Sequence, residues 1–168
     1  MRIHPLVETL QQLLPSASTP TLYMGPPKLS YALAEHHTLI SVAPQPRQAK
    51  KLKRPAILAC PSTLPFPHHT FQQILLVRQL RHAQDRGRSL MAMAGAFLEE
   101  GGLVVLIEAV GGFFAPHGVR PAEVSGLLLN AGFVEIEQRW PASRAVVTSA
   151  RAGACVTEGP LDRSLTGG

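Results

Sequence analysis

The sequence predicts an α/β protein with a mainly parallel β-sheet. Two short runs, Ile74–Val77 and Leu103–Ile107, are apolar at every position and have the length of strands that are buried on both faces. Elsewhere apolar residues recur at helical spacing, as they do between Leu90 and Phe97. Strands that alternate with helices form a parallel sheet that the helices cover, so these observations together indicate a layered α/β domain.

The segment Leu64–Val77 predicts one strand of this sheet. Pro65 and Pro67 exclude a helix and favour extended backbone, because proline fixes its own φ and restricts the residue before it. The apolar, partly β-branched run that begins at Ile74 then indicates a buried strand. By the order of the elements below, this is the fourth strand.

The composition indicates one globular domain. The chain has 168 residues, of which 45% are hydrophobic and 16% are charged, so it can bury a single substantial core. We expect the domain to span residues 1–152, with a helix at 2–14, and residues 153–168 to form a flexible tail. No apolar run reaches the ~18 residues that span a bilayer. Cys60 and Cys155 stand far apart, which favours reduced thiols and a cytoplasmic protein.

Positive charge is concentrated in the first half of the chain. Before Asp85 there are nine Lys and Arg residues against two carboxylates, Glu8 and Glu35, in a chain whose net charge is +5. Such a half can attract nucleic acid, an anionic ligand or an acidic protein. A solvated basic surface without a partner would have the same composition and is the simplest alternative.

The elements of the first half follow from periodicity and from proline punctuation. Leucines at helical spacing in residues 2–14 predict an amphipathic helix, which the proline-flanked segment 15–20 ends. The basic segment Arg47–Arg54 predicts one or two helical turns. The other predicted elements are strands at Thr21–Met24, Thr38–Val42 and Ala56–Ala59 and a short helix at Lys28–Glu35.

In the second half, glycine and proline mark the ends of two predicted helices. Gln84–Glu100 predicts a helix that Gly101-Gly102 caps, since glycine adopts the left-handed geometry of a C-cap. Pro121–Asn130 predicts a helix that opens with proline in its first turn. The other predicted elements are strands at Leu103–Ile107, Phe133–Glu137 and Ala145–Thr148 and a loop at Gly111–Gly118.

The predicted sheet has one edge at which a ligand would bind. In parallel sheets, ligands bind beyond the carboxyl ends of the strands, where the strand order reverses. In this chain the loops at that edge are residues 25–28, 43–47, 60–67 and 78–83. They are the candidate ligand loops.

Four segments together are similar to one family. They are Leu64–Val77, Leu80–Asp85, Phe97–Leu106 and Leu128–Ile136, and they resemble the class I S-adenosylmethionine-dependent methyltransferases over roughly residues 20–150. In that family they correspond to the segment around the fourth strand, the turn after it, a helix–Gly-Gly–strand unit and the last helix with its following strand. The resemblance implies a three-layer, Rossmann-like methyltransferase fold with a C-terminal antiparallel strand.

The resemblance also implies a cofactor site, from which this sequence departs. The family places a glycine-rich turn after the first strand and a ribose-binding carboxylate at the end of the second. Here a single glycine, Gly25, precedes two prolines, and Ala43 stands at the carboxylate position. Cys60 or Pro61 stands where the family has an aspartate after the third strand, and Gln72 stands where it has a second one. A degraded cofactor site is therefore expected, and a retained pocket would be lined by Gly25, Ser41, Ala43, Cys60, Thr63 and Leu64.

The histidines offer weaker candidates for chemistry. His82 could act as a general base because histidine titrates near neutral pH, although no partnered nucleophile is evident. The histidine pairs at 36–37 and 68–69 lack the spacing of a tetrahedral metal site, so no metal is expected.

The basic segment is the candidate partner surface. At helical spacing Arg47, Lys50, Lys51 and Arg54 share one face, which suits contacts to an acidic protein or to phosphate groups. Aromatic side chains for base stacking are missing from the segment, which disfavours single-stranded nucleic acid.

Three interpretations of function remain in order of preference. The first is a methyltransferase-like pseudoenzyme without a cofactor, a non-catalytic subunit or scaffold that binds a protein partner. The second is an active S-adenosylmethionine-dependent methyltransferase with a variant pocket, and the third is a nucleic-acid-associated protein. In the first, Phe113 and Phe114 could anchor the partner, or both rings could pack onto the sheet instead.

Overall fold

The computed structural model describes residues 4–14, 18–60, 63–80, 85, 87–110, 119–142 and 145–153. Strands in this part of the chain form one seven-stranded sheet. They are β1 (Thr21–Met24), β2 (Leu39–Ala43), β3 (Ala56–Leu58), β4 (Phe71–Val77), β5 (Leu98–Ala109), β6 (Phe133–Ala142) and β7 (Ala145–Ala152).

The sheet has the order β3-β2-β1-β4-β5-β7-β6. The neighbours from β3 to β5 pair in parallel. β7 is antiparallel to both of its neighbours, β5 and β6. The predicted fold class, a mainly parallel α/β sheet with a C-terminal antiparallel strand, is therefore confirmed. The strand order reverses between β1 and β4, which sets the candidate ligand site at their carboxyl ends.

Helices cover both faces of the sheet and make a three-layer domain. Leu75 faces one layer, which contains the first two helices, and Ile74 and Leu76 face the other, as the pleat of a strand requires. None of the helices in the described ranges is long and apolar enough to cross a membrane. The helices are α1 (His4–Leu13), α2 (Pro27–Leu33), α3 (Pro46–Ala49), α4 (Arg88–Phe97) and α5 (Pro121–Asn130).

The Gly101-Gly102 pair is not a helix cap, and that prediction was wrong. The helix before it, α4, ends at Phe97, and β5 begins at the next residue. The carbonyls of Ala96 and Phe97 accept hydrogen bonds from the N–H groups of residues 69 and 70, at 3.0 Å each. Because the turn before β4 already satisfies the end of the helix, no glycine cap is needed.

The two glycines instead form an irregularity inside β5. The pairing with β4 shifts between Phe71↔Leu98 and Gln73↔Leu103, so the intervening residues of β5 bulge out. Gly101 has a φ of 71°, and a Cβ on Gly102 would lie 2.8 Å from the Glu99 carbonyl oxygen. Glycine is required here by the bulge geometry.

Candidate ligand site at the carboxyl edge of the sheet

The turn after β1 is filled by a side chain of the protein itself. Tyr23 is fully buried, and its hydroxyl donates a hydrogen bond of 2.8 Å to the Pro26 carbonyl oxygen. A Cβ on Gly25 would lie 2.6 Å from the Tyr23 hydroxyl oxygen and 2.7 Å from Val77 Cβ. Packing against Tyr23 and Val77 therefore requires glycine at residue 25, whether or not a ligand also contacts the turn.

Burial also fixes the ionisation state of this tyrosine. Desolvation raises the pKa of Tyr23 far above its ordinary value of 10.0, because the phenolate would lose its hydration inside the protein. The hydroxyl is thus protonated at neutral pH and remains the donor to Pro26. The residue was not singled out from the sequence, although an aromatic side chain two residues before the turn glycine was visible there.

The helix that follows this turn offers few backbone donors to a ligand. Pro26 and Pro27 have no N–H groups, as the sequence indicated. The N–H groups of Leu29 and Ser30 both point to the Pro26 carbonyl oxygen, at 3.2 and 3.4 Å. In addition, the Ser30 hydroxyl donates to Pro27 at 2.8 Å. Of the first helical residues, Lys28 alone keeps a backbone N–H without one of these bonds.

Three of the six predicted cofactor-binding residues do not reach the surface of this edge. Ser41 is fully buried in β2, and its hydroxyl has no hydrogen-bond partner among the described residues. Ala43 ends β2 as expected but is only 2% exposed, and Leu64 belongs to the core beneath α4. These three side chains therefore lie beneath the surface of the edge.

The other predicted residues near β3 lie in an exposed turn. The thiol of Cys60 is exposed, and the backbone N–H of Thr63 donates to the Cys60 carbonyl oxygen at 3.0 Å. The Thr63 side chain is exposed as well. Neutral hydroxyl and thiol groups in an open turn are weaker partners for a ribose diol than a carboxylate, since charge-assisted hydrogen bonds are about twice as strong.

Two charged groups that the sequence interpretation missed lie near the ends of β4 and β5. Arg78 follows the strand directly with a left-handed φ of 56°. Glu108 is 2% exposed near the end of β5, and its carboxylate accepts the Leu80 N–H at 2.9 Å. Each was visible as the first charged residue that interrupts or follows an apolar strand. In the described part of the chain, an arginine and a buried carboxylate therefore lie at the ends of the adjacent strands β4 and β5.

His68 and His69 make structural contacts. His69 Nδ1 lies 2.8 Å from the Leu98 carbonyl oxygen, and the His68 ring packs edge-on against Phe97 with centroids 5.5 Å apart. No three potential metal ligands come together within the described residues. Other predicted functional side chains, His82, Phe113 and Phe114, lie outside the described residues, as does the tail from residue 154.

The basic segment forms an exposed surface beside β3. This basic surface consists of Arg47, Lys50, Lys51, Lys53 and Arg54, all of which are exposed. The prediction that four of them share one helical face was wrong, because α3 ends at Ala49. Lys50, Lys51 and Arg54 follow it in the turns that lead to the edge strand.

Two exposed apolar side chains flank the basic surface. Tyr31 on α2 is 51% exposed, and the ammonium of Lys53 lies 5.8 Å from the centroid of its ring. Leu58, the last residue of β3, is 54% exposed. Exposed cations can steer an acidic partner to this surface, and exposed aromatic and arginine side chains are enriched at protein interfaces.

Comparisons with known proteins place the fold. No protein-family model matches the chain, and no curated protein matches its sequence. A structure of an S-adenosylmethionine-dependent methyltransferase from Archaeoglobus fulgidus matches with a TM-score of 0.71 at 10% identity, over 89% of this chain and 94% of that one. A TehB-like S-adenosylmethionine-dependent methyltransferase from Corynebacterium glutamicum matches with a TM-score of 0.68 at 14% identity, over 89% and 88%.

A third similar structure comes from an assembly. It is a Haloferax volcanii chain solved in a complex with the Trm112 methyltransferase activator, with a TM-score of 0.74 at 12% identity and 90% of both chains covered. The protein thus has the class I methyltransferase fold, as the resemblance in its sequence implied. At these identities the likeness extends to the fold alone.

Proposed function

We propose that this protein is a non-catalytic, methyltransferase-fold subunit that binds an acidic protein partner. The observation that carries the proposal is the state of the sheet edge. Ala43 ends β2 in the buried core with 2% exposure, and its side chain has no group that can accept hydrogen bonds from a ribose. Charge-assisted hydrogen bonds to a carboxylate there would contribute about 1.5–3 kcal/mol each, and they are absent at this residue.

The closed turn after β1 supports the same conclusion. The Tyr23 hydroxyl holds the Pro26 carbonyl oxygen, and Gly25 already packs against Tyr23 and Val77. A ligand that needs backbone donors from the start of α2 would find two prolines there. The lost carboxylate and the closed turn lie on neighbouring strands, so both act on the same ligand site.

The basic surface is the proposed docking site. Its cations are exposed beside the edge strand β3, and the apolar side chains of Tyr31 and Leu58 flank them. An acidic protein would gain from steering by these charges and from burial of the two apolar groups. The Haloferax complex supports this assignment by analogy, because a chain of similar fold was solved there with a protein activator. The exposed Cys60 thiol suits a reducing compartment such as the cytosol.

One experiment tests the docking surface. The protein would be used to retain its partner from extracts treated with nuclease, as wild type, as the double variant Lys50→Glu/Lys51→Glu, and as the control Arg88→Glu/Arg139→Glu. The control changes the net charge equally, at exposed residues of other elements. We expect a stoichiometric protein to bind wild type and control and to be lost from the first double variant. Equal retention of the partner by all three proteins would contradict the proposal, and so would a partner that is retained only from extracts without nuclease treatment.

The second candidate is an S-adenosylmethionine-dependent methyltransferase with a variant pocket. It is favoured by the similarity of the fold to S-adenosylmethionine-dependent methyltransferases and by Gly25, the glycine at the turn after β1. In that case Gly25, Cys60 and Thr63 would line the pocket with Ser41 beneath them.

Calorimetric titration with S-adenosylhomocysteine separates the two candidates. The non-catalytic proposal expects no micromolar binding by the wild type. A dissociation constant of about 1–10 μM, equivalent to roughly −8 to −7 kcal/mol, would refute it in favour of the enzyme. The variant Ala43→Asp provides a comparison, since a gain of binding there would identify residue 43 as the position at which affinity was lost.

A further inference from the structure

Arg78 occupies an unusual backbone conformation at the sheet edge. It follows β4 with a φ of 56°, and its N–H donates to the Ile107 carbonyl oxygen at 2.8 Å. Left-handed geometry is uncommon for residues other than glycine, and it concentrates at binding and active sites where the surroundings enforce it. The residue lies beside the point at which the strand order reverses.

Within the described ranges, two other non-glycine residues share this geometry, and both have a local reason for it. The N–H of His69 bonds to the Ala96 carbonyl oxygen at 3.0 Å, and its ring nitrogen lies 2.8 Å from the Leu98 carbonyl oxygen. Glu135 lies where the β6–β7 pairing shifts register, and it is paired with Arg151 at 3.1 Å. For Arg78 the backbone bond to Ile107 fixes the turn, but no such contact of its side chain is present among the described residues.

The guanidinium of Arg78 has an unused donor inside the protein. Its Nε is buried and has no hydrogen-bond partner among the described residues. Neighbouring polar groups are engaged elsewhere: Gln79 donates to the Val77 carbonyl oxygen at 2.9 Å, and the Glu108 carboxylate accepts the Leu80 N–H at 2.9 Å. A buried donor without a partner is unfavourable, so this atom requires an explanation.

The chemistry of the donor identifies what would satisfy it. Guanidinium Nε and a terminal nitrogen form a fork that binds two oxygens of a carboxylate or phosphate side by side. One carboxylate also lies at this edge: Glu108 follows Ile107, which is paired with Val77, and it accepts the Leu80 N–H at 2.9 Å. The crevice beyond the carboxyl ends of a parallel sheet is also where such folds bind small molecules.

We propose that Arg78 binds the oxyanion group, phosphate or carboxylate, of a small molecule at this sheet edge. The site differs from the one that the resemblance implied, because its proposed ligand-binding group is the guanidinium of Arg78 and not a carboxylate at the end of β2. It is also separate from the basic surface that we propose for the protein partner. The oxyanion proposal can therefore be refuted while the docking proposal is supported, and the docking proposal can be refuted while the oxyanion proposal is supported.

The test observes the proposed donor directly. The Nε–H resonance of Arg78 is followed by ¹H–¹⁵N NMR while inorganic phosphate, or in a parallel series acetate, is added at constant ionic strength. The resonance is assigned by its loss in Arg78→Gln. We expect saturable shifts of this signal with at least one of the two anions, and binding weaker by about ten-fold to a hundred-fold in Arg78→Gln, as expected when a charged hydrogen-bonding group is lost.

Two further variants separate binding from folding. Arg78→Gly removes the side chain and suits the left-handed φ, so it should melt at or above the wild-type temperature while losing the response to the anion. Arg139→Gln removes the same charge from an exposed residue of β6 and should bind like wild type. Absence of saturable binding to both anions, or equal binding by Arg78→Gly and wild type, would overturn the proposal. Binding of phosphate alone or acetate alone would support it and name the ligand's oxyanion.

Discussion

Gly25→Ala is the most direct test of whether the turn after β1 is kept for packing. The new Cβ would lie 2.6 Å from the Tyr23 hydroxyl oxygen and 2.7 Å from Val77 Cβ, which is fixed to the backbone of β4. Overpacking of this kind costs about 1–3 kcal/mol. Alanine recovers about 0.4–1 kcal/mol by restricting the unfolded chain, since Gly25 does not have a positive φ. We therefore expect a net destabilisation of about 1–2 kcal/mol.

Urea unfolding at neutral pH measures this effect, and for a chain of this size the melting temperature should fall by about 2–4 °C for each kcal/mol. Gly126→Ala is the matched control, because a Cβ at that position of α5 meets nothing within 4 Å. The control should be stabilised by about 0.5–1 kcal/mol, as expected for alanine in a helix. If Gly25→Ala were as stable as wild type, the turn would have room for a side chain and the packing explanation would be refuted.

Two pH-dependent predictions follow from buried and capped groups. Tyr23 has a folded-state pKa raised by desolvation, so its stabilising effect is present below the unfolded pKa near 10.0 and is lost as the pH rises above it. Above that pH, ionisation of Tyr23 in the unfolded chain should lower the stability of the wild type by about 1.4 kcal/mol per pH unit. Tyr23→Phe should lack this slope, whereas Tyr31→Phe, which changes an exposed residue, should keep it. The side-chain and backbone hydrogen bonds from Ser89, and then the one from the Gly87 N–H, lower the pKa of Asp85 below its ordinary 3.8. This stabilisation is present above pH 3.8 and is lost as the pH falls through the lower folded pKa. Acid titration followed by circular dichroism should therefore show a steeper loss of folded protein for wild type than for Asp85→Asn. Parallel curves would contradict the assignment.

Patterns of apolar residues predicted the sheet well because burial on both faces leaves a strong signal. Leu103–Ile107 lies inside β5, and Ile74–Val77 is the second half of β4. The start of β4 was placed three residues late, because Gln72 and Gln73 looked polar. Gln73 is in fact fully buried, and its side-chain oxygen accepts a hydrogen bond of 3.0 Å from Thr21 on the neighbouring strand. A polar residue with a partner from a distant segment cannot be assigned to the core by periodicity.

Contacts between distant segments also explain the other errors. The Gly101-Gly102 pair has the sequence of a helix cap, but residues 69 and 70 already bind the last carbonyls of α4. At the candidate site, the substitution at Ala43 could be identified because one position of β2 was compared with the family. Arg78 could not be identified in that way, since its importance depends on a left-handed φ and a buried, unpartnered Nε. Both are properties of the folded chain.

The two features of the sheet edge have one electrostatic consequence. Ala43 leaves the end of β2 without a negative charge, and Arg78 adds a positive charge beyond β4. S-adenosylmethionine carries a positive sulfonium, which this edge would repel, whereas an oxyanion would be attracted at an effective dielectric constant well below that of water. These two residues supply the electrostatic part of both proposals: residue 43 gives no carboxylate to hold the cofactor, and Arg78 gives a positive charge to attract an anion. The combined variant Ala43→Asp/Arg78→Gln should accordingly lose the response to phosphate or acetate and bind S-adenosylmethionine, which carries the sulfonium charge, more tightly than wild type does. If this variant loses the response to the anion without any gain in affinity for the cofactor, the closed turn at Tyr23, and not the charge, limits cofactor binding.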